Sequence, residues 1–156
     1  MNDEWTAALS EAVREVFENL CFMVPAEASV PPTEAPGESR ILVDVDFSGA
    51  RRGLLRLDVP DRMISTVASC MLGEDGPVEL EEQYAAIGEL ANIVCGNALP
   101  RMVGERAVFD LAMPRVIATR ESESDLAFDA AATVLLDEGQ VGASIFWQPT
   151  DLVRPQ

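Results

Sequence analysis

Glu89 and Asn92 lie three residues apart in the stretch LEEQYAAIGELANIVCGNALP, residues 80–100. Its apolar spacing predicts a long helix from Glu79 to Pro100. On a helical wheel Leu80, Tyr84, Ile87, Ala91, Val94 and Ala98 make a core seam, and Glu82, Ala85, Glu89, Asn92 and Gly96 fall opposite. Residues three apart are neighbours on a helix surface, so the carboxylate and the carboxamide stand side by side. Ala85 and Gly96 bracket them with almost no side chain. A polar pair projecting from an otherwise flat face suits insertion into a partner's pocket. An ordinary solvated helix face is the competing reading, because so short a pattern recurs by chance.

The rest of the composition removes other chemistries. The 156 residues predict one domain with 48% hydrophobic content, enough for a sizeable core. There is no His, which excludes His-based metal sites and Ser/His or Cys/His nucleophile pairs. All 11 basic residues are Arg, and the net charge of −16 repels phosphate backbones and anionic headgroups. Neither nucleic acid nor a membrane surface is therefore expected as a partner. Cys21, Cys70 and Cys95 lie within apolar runs and read as buried, reduced thiols, pointing to a cytoplasmic location. The acidic start, MNDEWTAALSE, is unlike a signal peptide, and no apolar run approaches the ~18 residues that span a bilayer. Asp44 and Asp46 have no third ligand at calcium-loop spacing and read as strand charges facing Arg56. GELANIVCG has no glycine pattern for a phosphate-binding loop. No cofactor of its own is expected.

The elements that must position the pair follow in order. Trp5, Leu9, Ala12, Val13, Val16, Phe17 and Leu20 make the apolar stripe of a first helix, capped at Asn2 or Asp3 and ended by Pro25. Trp5 reads as core or edge packing. Residues 25–39 hold four prolines and form a surface loop. Alternation over 41–47 and 54–59, around the turn 48–53, predicts an antiparallel hairpin. Pro60 opens a second helix, striped by Met63, Ile64, Val67, Ala68 and Met71, and Gly73 stops it. A turn over 73–77 leads to the long helix, and a turn or helix end follows Pro100. Ala107–Leu111 reads as a strand with Pro114 just past it, and residues 120–125 as a charged loop. Leu126, Phe128, Ala130, Ala132, Val134 and Leu136 predict a long strand that turns at 137–140 into Val141–Trp147, with a tail to 156. The sum is an α+β domain: a mostly antiparallel sheet of five or six strands with helices packed on one face.

GELANIVCGNALP followed by FDLAMPRVI resembles the chemotaxis phosphatase family of CheC, CheX and FliY. That family is identified by Glu-x-x-Asn on a long exposed helix and a Pro about two dozen residues later, here Glu89, Asn92 and Pro114. A single motif in a chain of this length resembles a CheX-like domain, and the order of elements agrees over nearly the whole chain. Ala85 stands where many members carry Asp or Ser. The resemblance implies a CheC-like fold and a phosphorylated CheY-like receiver domain as substrate. It implies that Asn92 orients a water for in-line attack on an aspartyl phosphate, that Glu89 pairs with the receiver's Lys, and that Ala85 and Gly96 give the docking face its flatness. It places Mg²⁺ on the receiver and implies a homodimer formed through sheet edges. A catalytically inactive module on the same fold, binding a receiver or another signalling partner, is the alternative that Ala85 motivates. A small-molecule enzyme finds no cofactor motif or nucleophile here.

Overall fold

A computed structural model of the chain describes residues 3–25, 39–73, 76–119 and 127–149. Asp3–Cys21 form α1, Arg40–Gly49 β1 and Gly53–Pro60 β2. Ile64–Leu72 form α2, Leu80–Val103 α3, Phe109–Leu111 β3 and Arg115–Thr119 β4. Ala130–Leu136 form β5 and Gly139–Trp147 β6. The strands make one antiparallel sheet in the order β3-β1-β2-β6-β5, and β4 also pairs with β1. This is the α+β architecture expected from the alternating strands.

The sheet's odd–even code decides which face meets the helices. Ile41, Val43, Val45 and Phe47 of β1, Leu55, Leu57 and Val59 of β2, and Val141, Ala143, Ile145 and Trp147 of β6 are buried together with Leu9, Val13 and Phe17 of α1 and Ile87, Leu90 and Val94 of α3. Successive strand side chains point to opposite faces, so the intervening residues make the outer face. There Asp44 is 3% exposed, and its two oxygens accept from Arg56 Nε at 2.7 Å and Arg56 Nη2 at 2.9 Å. The Phe128 ring lies 5.7 Å from that guanidinium. Asp44 thus faces Arg56 as expected, whereas Asp46 bonds Arg115 at 2.9 Å. Trp5 packs edge-on to Trp147 at 5.6 Å, and Arg51 stacks over the Trp147 ring at 4.2 Å. Cys21, Cys70 and Cys95 are free; Cys21 and Cys95 are buried and Cys70 half-buried.

Several local expectations are corrected. Helix α1 ends at Cys21, not at Pro25, because Phe22 adopts a left-handed φ of 56° and Met23 N–H turns back to the Phe17 carbonyl. Pro60 is extended and closes β2; a 3₁₀ turn, Asp61–Met63, precedes α2. Gly73, at φ 66°, stops α2 as expected. Helix α3 passes through Pro100 to Val103 instead of turning there. The strand expected from Leu126 begins at Ala130. Ahead of it Asp129 leaves the alternation, accepting from Trp147 N–H at 2.7 Å and donating its own N–H to the Ile145 carbonyl. Strand β4 was not expected, since Pro114 and the charged run after Arg120 punctuate its sequence. Asn2, most of the 25–39 loop, Glu74 and Asp75, residues 120–126 and the tail beyond 149 lie outside the described residues.

Candidate functional site

Helix α3 forms where the sequence supplies its ends. Glu79 is the N-cap, Glu81 and Glu82 place negative charge at the positive N-terminus, and Gln83 Nε2 donates to the Val78 carbonyl at 2.8 Å. At the other end Arg101 lies in the last turn and bonds Glu11 of α1 at 2.9 Å and Glu15 as well. The helix is thereby tied to α1 by charge and to the sheet by Ile87, Leu90, Ala91, Val94, Cys95, Ala98 and Leu99, all buried. The expected seam therefore holds from Ile87 to Ala98. It fails at Leu80, which is 57% exposed in the first turn, and weakens at Tyr84, which is half-buried. Ala86, Leu90 and Cys95 widen the buried stripe beyond that seam.

Glu82, Ala85, Glu89 and Gly96 are all exposed, as the wheel predicts. Asn92 departs from it. Its side chain is half-buried, and Oδ1 is shut off from solvent without a hydrogen-bond partner among the described residues. The flank that closes beside it is marked by Gly88, one turn earlier on the same side. Gly88 is buried against the β3–β4 loop, and a Cβ placed there would stand 3.0 Å from Pro114 Cγ and 3.5 Å from Pro114 Cβ. That loop interrupts the edge beside β1: Ala112 N–H still bonds the Asp46 carbonyl at 2.9 Å, Met113 is 86% exposed, and Pro114 meets the helix. The site is thus a carboxylate in solvent and a carboxamide set against a wall, with small residues on either side.

Gly88 escaped the sequence reading. A glycine inside a helix is about 1 kcal/mol less favourable than alanine, so its presence one residue before Glu89 was a signal for close packing. Pro100 carries another. It has no N–H, so the Gly96 carbonyl receives no hydrogen bond from four residues on. Beside it, Gly96, Leu99, Pro100, Ala107, Phe109 and Leu111 line a hollow of about 150 Å³. A wider hollow of about 390 Å³, lined by Asp46, Ser48, Arg52 and Asp110 among others, lies at the turn end of the β1–β2 hairpin and includes no α3 residue.

The pair can accept and donate hydrogen bonds and can present one negative charge. The buried thiols offer it no nucleophile. Burial pushes the Cys95 thiol up to about 12, and burial together with the neighbouring Cys70 does the same to Cys21. Both remain protonated and unreactive near neutral pH. Among the described residues no group of three His, Cys, Asp or Glu side chains is placed to hold a metal ion. No helix among them is long and apolar enough to cross a membrane.

The chain and its fold have counterparts among known proteins. A family model described as chemotaxis phosphatase CheX matches residues 41–135, which include Glu89, Asn92 and Pro114. Among curated proteins none matches the chain. Solved structures do. A chemotaxis protein CheX from Desulfovibrio desulfuricans superposes with a TM-score of 0.69 at 18% identity, over 93% of this chain and 99% of that one. The CheX–CheY–BeF3–Mg complex from Borrelia burgdorferi matches with a TM-score of 0.64 at 20% identity, over 94% and 99%. FliY from Thermotoga maritima matches with a TM-score of 0.57 at 15% identity, over 92% and 90%.

Proposed function

Because the chain belongs to the chemotaxis phosphatase CheX family, we propose that it hydrolyses the aspartyl phosphate of a CheY-like receiver domain, with Glu89 and Asn92 as the working pair. The observation that carries this reading is the state of the pair on α3: Glu89 stands in solvent, while the Asn92 amide oxygen accepts from no other group among the described residues. Turning the amide about χ2 toward a docked partner therefore breaks no hydrogen bond at Oδ1. The Borrelia relative is seen in complex with CheY, BeF3 and Mg, which supports a receiver as the partner.

The chemistry suits a chain with so few reactive groups. An acyl phosphate is already activated, and its hydrolysis asks mainly for an in-line nucleophile and for charge balance. A water oxygen forms the new bond to phosphorus while the bond to the receiver's Asp oxygen breaks and returns that carboxylate. The water's proton passes to solvent or phosphate. Asn92 is neutral and bears both donor and acceptor, so Oδ1 can accept a hydrogen bond from the water without bringing negative charge toward the phosphoryl oxygens. Glu89 pairs with a receiver Lys and seats the helix. The receiver brings the Mg²⁺ that balances the phosphoryl charge. Ala85 and Gly96 keep the face low enough to enter.

In this reading the protein is cytoplasmic, where phosphorylated receivers are found, and works as a homodimer. Among the described residues the sheet ends in β3 with β4 on one side and in β5 on the other, where Pro25 bridges to Leu136. On the first edge Val108, Met113 and Ile117 are exposed apolar side chains. Phosphate release from a phosphorylated receiver, wild type against Asn92→Ala, tests the catalytic assignment. The expected loss is about 10²-fold or more, and equal rates refute it. The bare Ala85 keeps a second reading in play, a receiver-binding module without catalysis. Tight receiver binding with an unchanged phosphate lifetime identifies it.

A further inference from the structure

We propose that the hollow beside Gly96 is an anchor subsite that takes one aromatic side chain of the receiver, a tyrosine or tryptophan. The inference rests on the receiver-docking reading and adds to it where, beyond the Glu89–Asn92 pair, the partner is gripped. Gly96 lies on the same helix face as Glu89 and Asn92, about 6 Å along the axis from Asn92 at the usual rise per residue. A partner lying along this face from Glu89 reaches the hollow without changing direction. The hollow is therefore continuous with the docking surface.

Its walls set the occupant. Leu99, Pro100, Ala107, Phe109 and Leu111 are apolar, and Phe109 is held edge-on to Phe47 at 5.7 Å between ring centroids. At about 150 Å³ the space is below the range of small-molecule pockets, roughly 300 Å³ and upward, and of the order of one large side chain. Among the residues that line it, Gly96 brings a carbonyl that Pro100 leaves without its donor four residues on. Gly96 has no side chain to cover it, and apart from its chain neighbours and its own stretch of helix backbone no described heavy atom lies within 4 Å of where its Cβ would stand. Apolar walls with one acceptor at the rim match a ring that carries one N–H or O–H donor. Such residues also dominate interface energetics. An aliphatic side chain would leave the carbonyl unserved.

The experiment measures binding of the full chain to a Mg²⁺-loaded, beryllofluoride-activated receiver, for wild type, Gly96→Ala and Gly96→Leu. Leucine adds bulk beside the mouth of the hollow from the helix side, and both substitutions favour the helix, so folding is retained. The expected result is graded: a small loss for alanine and a rise in Kd of about tenfold or more for leucine. Receiver variants with each surface Tyr or Trp changed to Ala then identify the occupant. One of them loses a similar factor, and against it Gly96→Leu costs nothing further. If wild type binds no receiver, the docking reading falls and this inference with it. If wild type binds and Gly96→Leu binds equally well, the docking reading stands and the subsite is wrong. If the leucine variant weakens binding but couples to no receiver aromatic, the assigned occupant is wrong.

Discussion

Replacing Gly88 by alanine sets two known effects against each other. An alanine gains about 1 kcal/mol over glycine inside a helix. Its Cβ would stand 3.0 Å from Pro114 Cγ, inside normal contact, and 3.5 Å from Pro114 Cβ, which is ordinary contact. Either the proline ring or α3 must give by a few tenths of an ångström, and overpacking of that kind costs about 1–3 kcal/mol. The expected net effect is a destabilisation of up to about 2 kcal/mol, or a fall in Tm of a few degrees for a chain of this size. Pro114→Ala removes Cγ and keeps Cβ, so it deletes the close contact alone. In that background Gly88→Ala should become stabilising by up to about 1 kcal/mol. Urea denaturation of the four proteins closes the double-mutant cycle, with an expected coupling of at least about 1 kcal/mol. Were Gly88→Ala to stabilise the otherwise native protein by the full helix-propensity gain, the loop would not press on the helix. The account of why Asn92 is half-buried would then fail with it.

Asn92→Ala, which removes a buried acceptor without a partner, should leave the urea midpoint unchanged or raise it, so that any lost turnover is chemical; a fall of several degrees in Tm would mark Asn92 as structural. Asp44→Ala should cost about 3 kcal/mol by chemical denaturation, since it strands the Arg56 guanidinium in a setting where only 14% of that side chain is exposed. Cys21 and Cys95 are raised from 9.0 to about 12 in the fold. The stability of their protonated state is thus fully present below about pH 9 and lost as pH climbs toward 12. Between pH 9 and 10 each thiol should cost about 1 kcal/mol, read as a falling urea midpoint whose fall is about halved in Cys95→Ala. A thiol reagent at pH 8 should label Cys70, the half-buried cysteine, before either of the others.

The elements that follow a clean period were legible. Val43, Val45, Leu55 and Leu57 alternate because one face of the hairpin is buried, and Ile87, Ala91, Val94 and Ala98 repeat because one stripe of α3 is. The polar pair was legible for the same reason: a face opposite the seam is a face toward solvent. What escaped depended on partners distant in sequence. Asn92 lies at the margin of that face, one turn past Gly88, which the Pro114 loop some twenty residues on covers. Leu80 fits the seam by period but sits in the first turn, where it finds no cover. Pro114 hid β4, because a proline that ends one ladder reads as the end of the sheet. In fact β1 is long enough for its Arg40–Asp44 segment to accept a second short strand. Phe128 continued an alternation by chance and is used instead above Arg56.

Trp5 and Trp147 touch although nearly the whole described chain lies between them. Helix α1 packs against α3 and against β5, so its cover is complete only when the β5–β6 hairpin is in place, and that hairpin needs β2, which pairs with β6. Closure between such distant segments carries a large entropy cost before its contacts form, so the contact that completes the cover of the first helix is among the costliest to close. Arg101 ties α3 to α1, so the brace behind the face bearing Glu89 and Asn92 is itself fully covered only when residues near 147 have been made and docked. A nascent chain that has emerged only through α3 carries the motif on an incomplete backing.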